Sequence, residues 1–380
     1  MRIISFHQLP LFVWSVLITA ILLLLSLPVL AGIFFVLALN PAVFWNNQFF
    51  FELGQSAGNL YPDVIGILRD YTPEPMYLIG SSLFGKSSNN SRFTRFYHNS
   101  IQDNFSSYLA GLIEGNGCII TPTELRDVKG RKKYPAIQIS FNSKDFPLAL
   151  MLQKHIKFGS LSKKKGVNAY VYSINNLEGW VLIINLINGQ MRTPKIYALS
   201  KLIDFLNSHY DCNLLKLPLN FQPLESSAWL SGFIDADGHF SIRTTNLGKY
   251  PARIECKFEL VQRQVDLNSG TLLPIMSRIA IFLGSTVKEI KILTNNPKYR
   301  VRTVSLASNF FLIQYLAVFP LFSSKHMDYL VWLEVIYMFK LGEHKSEKGK
   351  EKIRTLKLTI NDSRTVFIWD HLQKFYSLHE

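Results

Sequence analysis

Polar and apolar residues alternate along parts of the second half of the chain. In Arg253–Leu260 one face carries Arg253, Glu255, Lys257 and Glu259, and the other carries Ile254, Cys256, Phe258 and Leu260. A period of two predicts a strand with one buried face. Lys298, Arg300 and Arg302 likewise share a face and predict a strand over Lys298–Arg302. A different period marks LAGLIEGNG (Leu109–Gly117) and LSGFIDADG (Leu230–Gly238). There Gly111 and Gly115, and Gly232 and Ala236, stand four apart, which puts each pair on one side of a helix. A third pattern occupies the amino terminus, where Leu11–Asn40 carries no charge. That run exceeds the roughly twenty apolar residues needed to cross a bilayer and predicts a transmembrane-like helix. It is also longer than the apolar core of a cleaved secretory signal.

Residues 41–100 change character: QSAGN, YTPEP and SSLFGKSSNNSR are rich in Ser, Asn, Gly and Pro, and predict a poorly ordered linker ending near Arg92–Gln102. Beyond it the chain repeats itself. SSYLAGLIEGNGCIITP pairs with SAWLSGFIDADGHFSIR, and KYPAIQISFNSKD with KYPARIECKFELVQRQ. MLQKHIKFGSL, NAYVYSINN and RTPKIYALSKLIDFL follow in one copy, answered in the same order by MSRIAIFLGSTV, KYRVRTVSLAS and SSKHMDYLVWLEVI. Each copy reads as a motif helix, two strands, a helix, two strands and further helices. The expected organisation is residues 1–40, a linker over 41–100, repeat 1 over 101–212, and repeat 2 with a C-terminal extension over 213–380.

Charge sharpens this picture. Of the 380 residues, 41 are Lys or Arg and 27 are Asp or Glu. Before Arg69 stand only Arg2, Glu52 and Asp63, so the rest holds 40 basic and 25 acidic residues. Such a basic body points to a polyanionic partner, nucleic acid first. Cations fall on the predicted strands (Arg243, Arg253, Lys257, Lys298, Arg300, Arg302) and in the likely turns (Lys129, Arg131, Lys132 and Lys133; Lys163, Lys164 and Lys165). A sheet with one apolar side under helices and one basic side open is a platform for a duplex, and its turns would reach phosphates. The three cysteines are widely spaced and suggest neither a disulfide framework nor a zinc site.

Small residues four apart let two helices approach closely. If the two motif helices pack together, their carboxyl ends bring Glu114, Asp235 and Asp237 near one another. Acids there oppose the helix dipole, and a hard cation such as Mg²⁺ would offset the repulsion.

Two resemblances extend this reading. LPLFVWSVLITAILLLLSLPVLAG, Leu9 to Gly32, resembles a transmembrane helix of cytochrome c oxidase subunit 1 and stops abruptly at Gly32. It implies a mitochondrial, intron-encoded product translated as a fusion with its host exon. The body, from about Phe105 to Phe339, resembles the double-motif LAGLIDADG homing endonucleases. The resemblance implies an α+β fold: a pseudo-two-fold pair of αββαββα repeats whose motif helices form the central interface and whose antiparallel sheets make a saddle. It also implies a monomer acting on a long, nearly palindromic double-stranded DNA site, here the intronless host-gene junction.

In that family the eighth motif residue of each helix binds a divalent metal at the scissile phosphates. The matching positions are Asp237 and Asn116, the latter an amide that departs from the pattern. Lys195 and Lys325 best match the family's basic residues near those phosphates, with the register open by a residue or two. Gln262 matches a polar position that contacts metal-site water, with Ser143 as its counterpart in repeat 1. An amide can ligate Mg²⁺ but adds no charge. Cleavage of both strands with weaker metal binding, nicking of one strand, or loss of cleavage with nucleic-acid binding retained are all compatible with Asn116. The last connects to a second activity of the family, an RNA maturase role in splicing the protein's own intron. A matrix location after processing is expected, with any unprocessed form in the inner membrane.

Overall fold

The computed structural model describes residues 90–245, 253–266 and 269–376, with side chains described from residue 103 onward. The hydrophobic stretch Leu11–Asn40 and residues 41–89 lie outside the described residues. Among the described residues, no helix is long and apolar enough to cross a membrane.

Repeat 1 begins with α1 (Asn90–Asn116), which carries the first motif in its last turns. Its start at Asn90 lies within the stretch expected to be linker. After α1 come β1 (Gly117–Ile120), β2 (Ala136–Asn142), α2 (Phe146–Ile156), β3 (Ser160–Lys163), β4 (Ala169–Ile174), α3 (Leu177–Ile187) and α4 (Ile196–Tyr210). Repeat 2 runs through α5 (Trp229–Asp237), β5 (Gly238–Thr245), β6 (Arg253–Arg263), α6 (Leu273–Phe282), β7 (Lys288–Ile290), β8 (Lys298–Arg302), α7 (Leu306–Val318) and α8 (Lys325–Lys340). Each repeat makes one four-stranded antiparallel sheet, in the order β1-β2-β4-β3 or β5-β6-β8-β7.

Local signals set the ends of these elements. Pro147 and Pro274 stand in the first turns of α2 and α6, where a missing N–H loses nothing. The Ser305 hydroxyl caps α7 by accepting from the Ser308 N–H at 3.1 Å. The alternating strands bury Ile137, Ile139 and Phe141 on β2 and Cys256, Phe258 and Leu260 on β6 beneath the helices. The isoleucine, leucine and phenylalanine side chains among these each contribute about 1.5–3 kcal/mol when fully buried.

Two arginines fasten the connector between the repeats. The Arg192 guanidinium donates to the Gln222 carbonyl at 2.5 Å, and Arg278 donates to the carbonyls of Asn220 at 3.2 Å and Phe221 at 3.0 Å. The C-terminal extension includes α9 (Glu347–Lys357). The Asn361 amide donates to the Phe240 carbonyl on edge strand β5 at 2.9 Å, covering part of an otherwise open edge. Phe375 then packs on Phe105 and Tyr108 of repeat 1 and on Phe322 of repeat 2, so the extension straps both halves.

Candidate nucleic-acid interface and cleavage site

The two motif helices α1 and α5 pack along their glycines. A Cβ added to Gly111 would lie 2.0 Å from the Trp229 carbonyl oxygen, and one on Gly232 would lie 2.0 Å from the Tyr108 carbonyl oxygen. One on Gly115 would meet the Ala236 Cβ at 2.2 Å and the Asp237 Oδ2 at 3.0 Å. The four small positions read from the sequence therefore meet at one contact between helix backbones.

The acids at the helix ends part company. Glu114 is buried and accepts from the backbone N–H groups of Arg192 at 2.9 Å and Thr193 at 2.6 Å, and from the indole N–H of Trp229. Asp235 is equally buried. It accepts from the Tyr108 hydroxyl at 2.7 Å, the Phe322 N–H at 2.8 Å and the Ser323 hydroxyl at 2.5 Å. Tyr108 and Trp229 stand at matching places, one residue before each motif. Each motif helix thus donates an aromatic hydrogen bond to the sixth motif residue of the other. Burial raises both carboxyl pKa values, while the donated hydrogen bonds act to lower them. Neither acid joins a metal-binding cluster: no group of three or more His, Cys, Asp or Glu is present among the described residues.

Lysines answer the helix-end repulsion that the sequence raised. Lys195 Nζ donates to the carbonyls of Ile113 at 2.8 Å, Glu114 at 2.7 Å and Gly117 at 2.7 Å, which uses all three of its N–H groups. Lys325 Nζ donates to the carbonyls of Ile234 at 3.2 Å and Ala236 at 2.6 Å. Each lysine closes the carboxyl end of its own repeat's motif helix, where a cation suits the dipole. Burial pushes both ammonium pKa values down, and Asp237 pulls both back up.

Of the eighth motif residues, Asp237 accepts from the Gln262 side-chain amide on β6 at 2.8 Å. Asn116 turns its amide toward the Ala236 carbonyl at 3.4 Å. The strand register corrects the expected counterpart of Gln262. Gly117 pairs with Ile139 in repeat 1, as Gly238 pairs with Leu260 in repeat 2. Two residues on, Gln262 therefore corresponds to Phe141, not Ser143. Tyr170 and Tyr299, paired with Phe141 and Gln262 respectively, agree with that match. Phe141 is 4% exposed and packs in the core.

The donor set fits a hard cation on one side. Asp237 offers a carboxylate, and Mg²⁺ needs only one or two of these besides phosphate oxygens and water. The Asn116 side offers a neutral amide.

The basic residues divide between turns and one sheet. Lys129, Arg131, Lys132 and Lys133 lie exposed in the β1–β2 connection, with Arg131 paired to Asp127 at 2.7 Å. Lys163 at the end of β3 and Lys164 and Lys165 in the β3–β4 turn lie exposed. Arg243, Arg253, Lys257, Lys298, Arg300 and Arg302 share the outer face of the second sheet. On that face Glu255 pairs with Lys257 at 3.1 Å and with Arg253 at 3.4 Å. The expectation of a basic open side holds for this sheet alone. The first sheet's outer face presents neutral residues such as Gln138, Ser140, Ser162 and Val171.

Comparison with known proteins decides the family. The LAGLIDADG endonuclease family profile matches residues 109–206 and 230–336. The chain belongs to the LAGLIDADG endonuclease family. It is 32% identical over 306 residues to the intron-encoded DNA endonuclease aI3 of Saccharomyces cerevisiae, covering 72% of this chain and 74% of that one. A 37.2 kDa cox1 intron-2 protein of Schizosaccharomyces pombe is 30% identical over 254 residues, covering 66% and 71%. The intron-encoded RNA maturase bI4 of Saccharomyces cerevisiae is 30% identical over 194 residues, covering 49% and 27%. Among solved structures, the I-LtrWI LAGLIDADG homing endonuclease bound to target DNA shares the fold, with a TM-score of 0.53 and 17% identity over 70% of this chain and 100% of that one. LAGLIDADG homing endonucleases are DNA-cleaving hydrolases that generally use divalent metal ions.

The sequence reading missed the aromatic cross-bonds from Tyr108 and Trp229. An aromatic residue at the same offset before both motifs was the available signal. It also missed Arg192 and Arg278 as clamps of the connector, for which the sequence carries no periodic mark.

Proposed function

We propose that this chain is a site-specific, metal-dependent double-stranded DNA endonuclease, encoded in a mitochondrial intron and cutting the intronless host-gene junction. The observation that carries the reading is the Asp237–Gln262 pair, a carboxylate held by an amide where the motif-helix end meets the sheet. In this reading each repeat's outer sheet face lies on half of the site. Asp237 and, more weakly, Asn116 hold Mg²⁺, and Gln262 orients Asp237. Lys325, which donates to two carbonyls, retains one N–H for a scissile phosphate. A bound divalent ion supplies Lewis-acid stabilisation and a more acidic water.

Three differences weaken the repeat-1 half: Asn116 for a carboxylate, Phe141 for Gln262, and a Lys195 whose three N–H groups are all used. One strand is therefore cut faster than the other. Residues 1–40 are assigned to the host exon, on the cytochrome-oxidase-like stretch Leu9–Gly32, and the residues from 41 up to the start of α1 at Asn90 to the segment joining it to the two repeats. Both motif helices come from one chain, so the acting form is a monomer in the mitochondrial matrix.

The test mixes the full chain, in detergent, with supercoiled plasmid carrying the intronless junction and Mg²⁺. Nicked circles form first and linear DNA later. If neither strand breaks in a correctly folded preparation, the endonuclease reading is wrong.

The neutral repeat-1 half and the similarity to the RNA maturase bI4 favour a second reading, assistance in splicing the chain's own intron. Removing this product and measuring intron retention tests it. Splicing that stays intact excludes it.

A further inference from the structure

The outer faces of the two sheets differ in kind. In antiparallel pairing, directly opposed residues project from the same side of the sheet. In the first sheet Gln138 pairs with both Cys118 and Ser173, and Ser140 pairs with Val171, which also pairs with Ser162. These residues, all on the side away from the buried Ile137 and Ile139, are uncharged. The one charged residue of those four strands, Lys163, pairs with Tyr170 and so belongs to the opposite set. In the second sheet the matching side carries Arg243, Lys257, Arg263, Lys298, Arg300 and Arg302. Its acids Glu255 and Glu259 are engaged by Lys257 at 3.1 Å and Arg300 at 3.9 Å. Arg243, Arg263, Lys298 and Arg302 form no ion pair among the described residues.

Base edges answer to these chemistries differently. Arginine and lysine match the paired acceptors O6 and N7 of guanine, whereas the glutamine amide matches N6 and N7 of adenine. Apolar groups such as valine and isoleucine suit the thymine methyl, and hydroxyls tolerate any base. We propose that the DNA target is lopsided, with a G·C-rich half against the second repeat's sheet and an A·T-rich half against the first repeat's sheet. This rests on the reading that the sheets lie on duplex DNA, and it replaces the nearly palindromic site expected from the resemblance. The first half is gripped from its turns, where Lys164 and Lys165, beyond the end of β3, reach phosphates. The second half is gripped and read by the same sheet.

The experiment retains randomised duplexes on the full chain without divalent metal, so that nothing is cut, and sequences the bound pool. Aligned duplexes should show a G·C-rich block beside an A·T-rich block, with about 5- to 150-fold discrimination for each paired contact. Arg302→Gln should relax the first block and leave the second unchanged, and Gln138→Ala should do the reverse. A bound pool with two alike or palindromic halves overturns the inference while leaving the DNA reading intact. So does an Arg302→Gln variant that weakens all duplexes equally, because that behaviour marks a phosphate contact. A folded chain that retains no duplex overturns the DNA reading and this inference with it.

Discussion

The indole N–H of Trp229 donates to the buried carboxylate of Glu114 on the opposing motif helix. Tyr108, at the matching place, does the same for Asp235. Removing a donor from a buried carboxylate costs about 1–3 kcal/mol. Trp229→Phe should destabilise the protein by that amount or more. Tyr108→Phe should cost less, because it removes only a hydroxyl, whereas Trp229→Phe also shrinks a fully buried side chain and leaves a cavity. Urea midpoints of the two variants check the ranking.

Backbone contact at Gly111 leaves no room for a methyl group. A Cβ there would stand 2.0 Å from the Trp229 carbonyl oxygen and 2.9 Å from the Phe233 nitrogen. Gly111→Ala should force α1 and α5 apart at a cost of about 3 kcal/mol. Gly130, at φ +76° in the β1–β2 connection, has nothing within 4 Å of an added Cβ. Gly130→Ala should cost only about 1 kcal/mol of backbone strain. Thermal unfolding separates the two, and equal losses would show that the helix contact is not tight.

These cases show what the sequence carried. The four-residue spacing of small residues was legible because close helix approach demands it wherever it occurs. The strand Lys298–Arg302 was legible from its period of two. The fate of the acids was not. Spacing puts Glu114, Asp235 and Asp237 at helix ends, but the N–H groups that bury Glu114 come from Arg192 and Thr193, almost eighty positions away. The counterpart of Gln262 was hidden for another reason. The strands after each motif are joined by connections of different length, so the sequence leaves their register open, and the ladder identifies Phe141 in place of Ser143. The neutral first sheet was masked by the lysine-rich turns that flank it.

Those turns give a prediction about salt. Lys163 ends β3, and Lys164 and Lys165 lie beyond it in the turn to β4, all three exposed. Each phosphate contact adds about 0.9 to the slope of log affinity against log salt. Replacing all three by Gln should lower the slope by about 2–3 and leave base preference unchanged. Filter binding over a salt series measures the slope, and an unaltered slope would remove these lysines from the interface.

His326 makes stability depend on acidity. Its ring stacks on His371 at 4.3 Å between centroids. Burial first, and then the charges of His371 and Lys374, hold its pKa down at about 4. The unfolded chain takes up this proton near its ordinary value of about 6.5, and the folded chain only near 4. The contribution is therefore fully present above pH 6.5 and is lost as pH falls toward 4. With partial exposure allowed for, it amounts to about 1 kcal/mol. His326→Gln should flatten the urea midpoint against pH between 6.5 and 4. An unchanged profile would place the acid sensitivity elsewhere.

Asn116 and Asp237 hold the same motif position in the two helices, yet only Asp237 carries charge. If charge alone limits the repeat-1 half, Asn116→Asp should speed cutting of the slower strand by about tenfold or more, an effect of about 1.4 kcal/mol on the barrier. Nicked intermediates would then disappear from the plasmid time course. Asp237→Asn should abolish cutting of the faster strand while duplex binding persists, since the sheet contacts are untouched. A third outcome is informative in its own right. If Asn116→Asp folds and binds normally without gaining rate, the limit lies with Phe141, which cannot orient a carboxylate as Gln262 does, or with Lys195, whose three N–H groups are already committed to carbonyls. Adding Phe141→Gln would separate those two causes, at a stability cost of about 2–4 kcal/mol for placing an amide in the core.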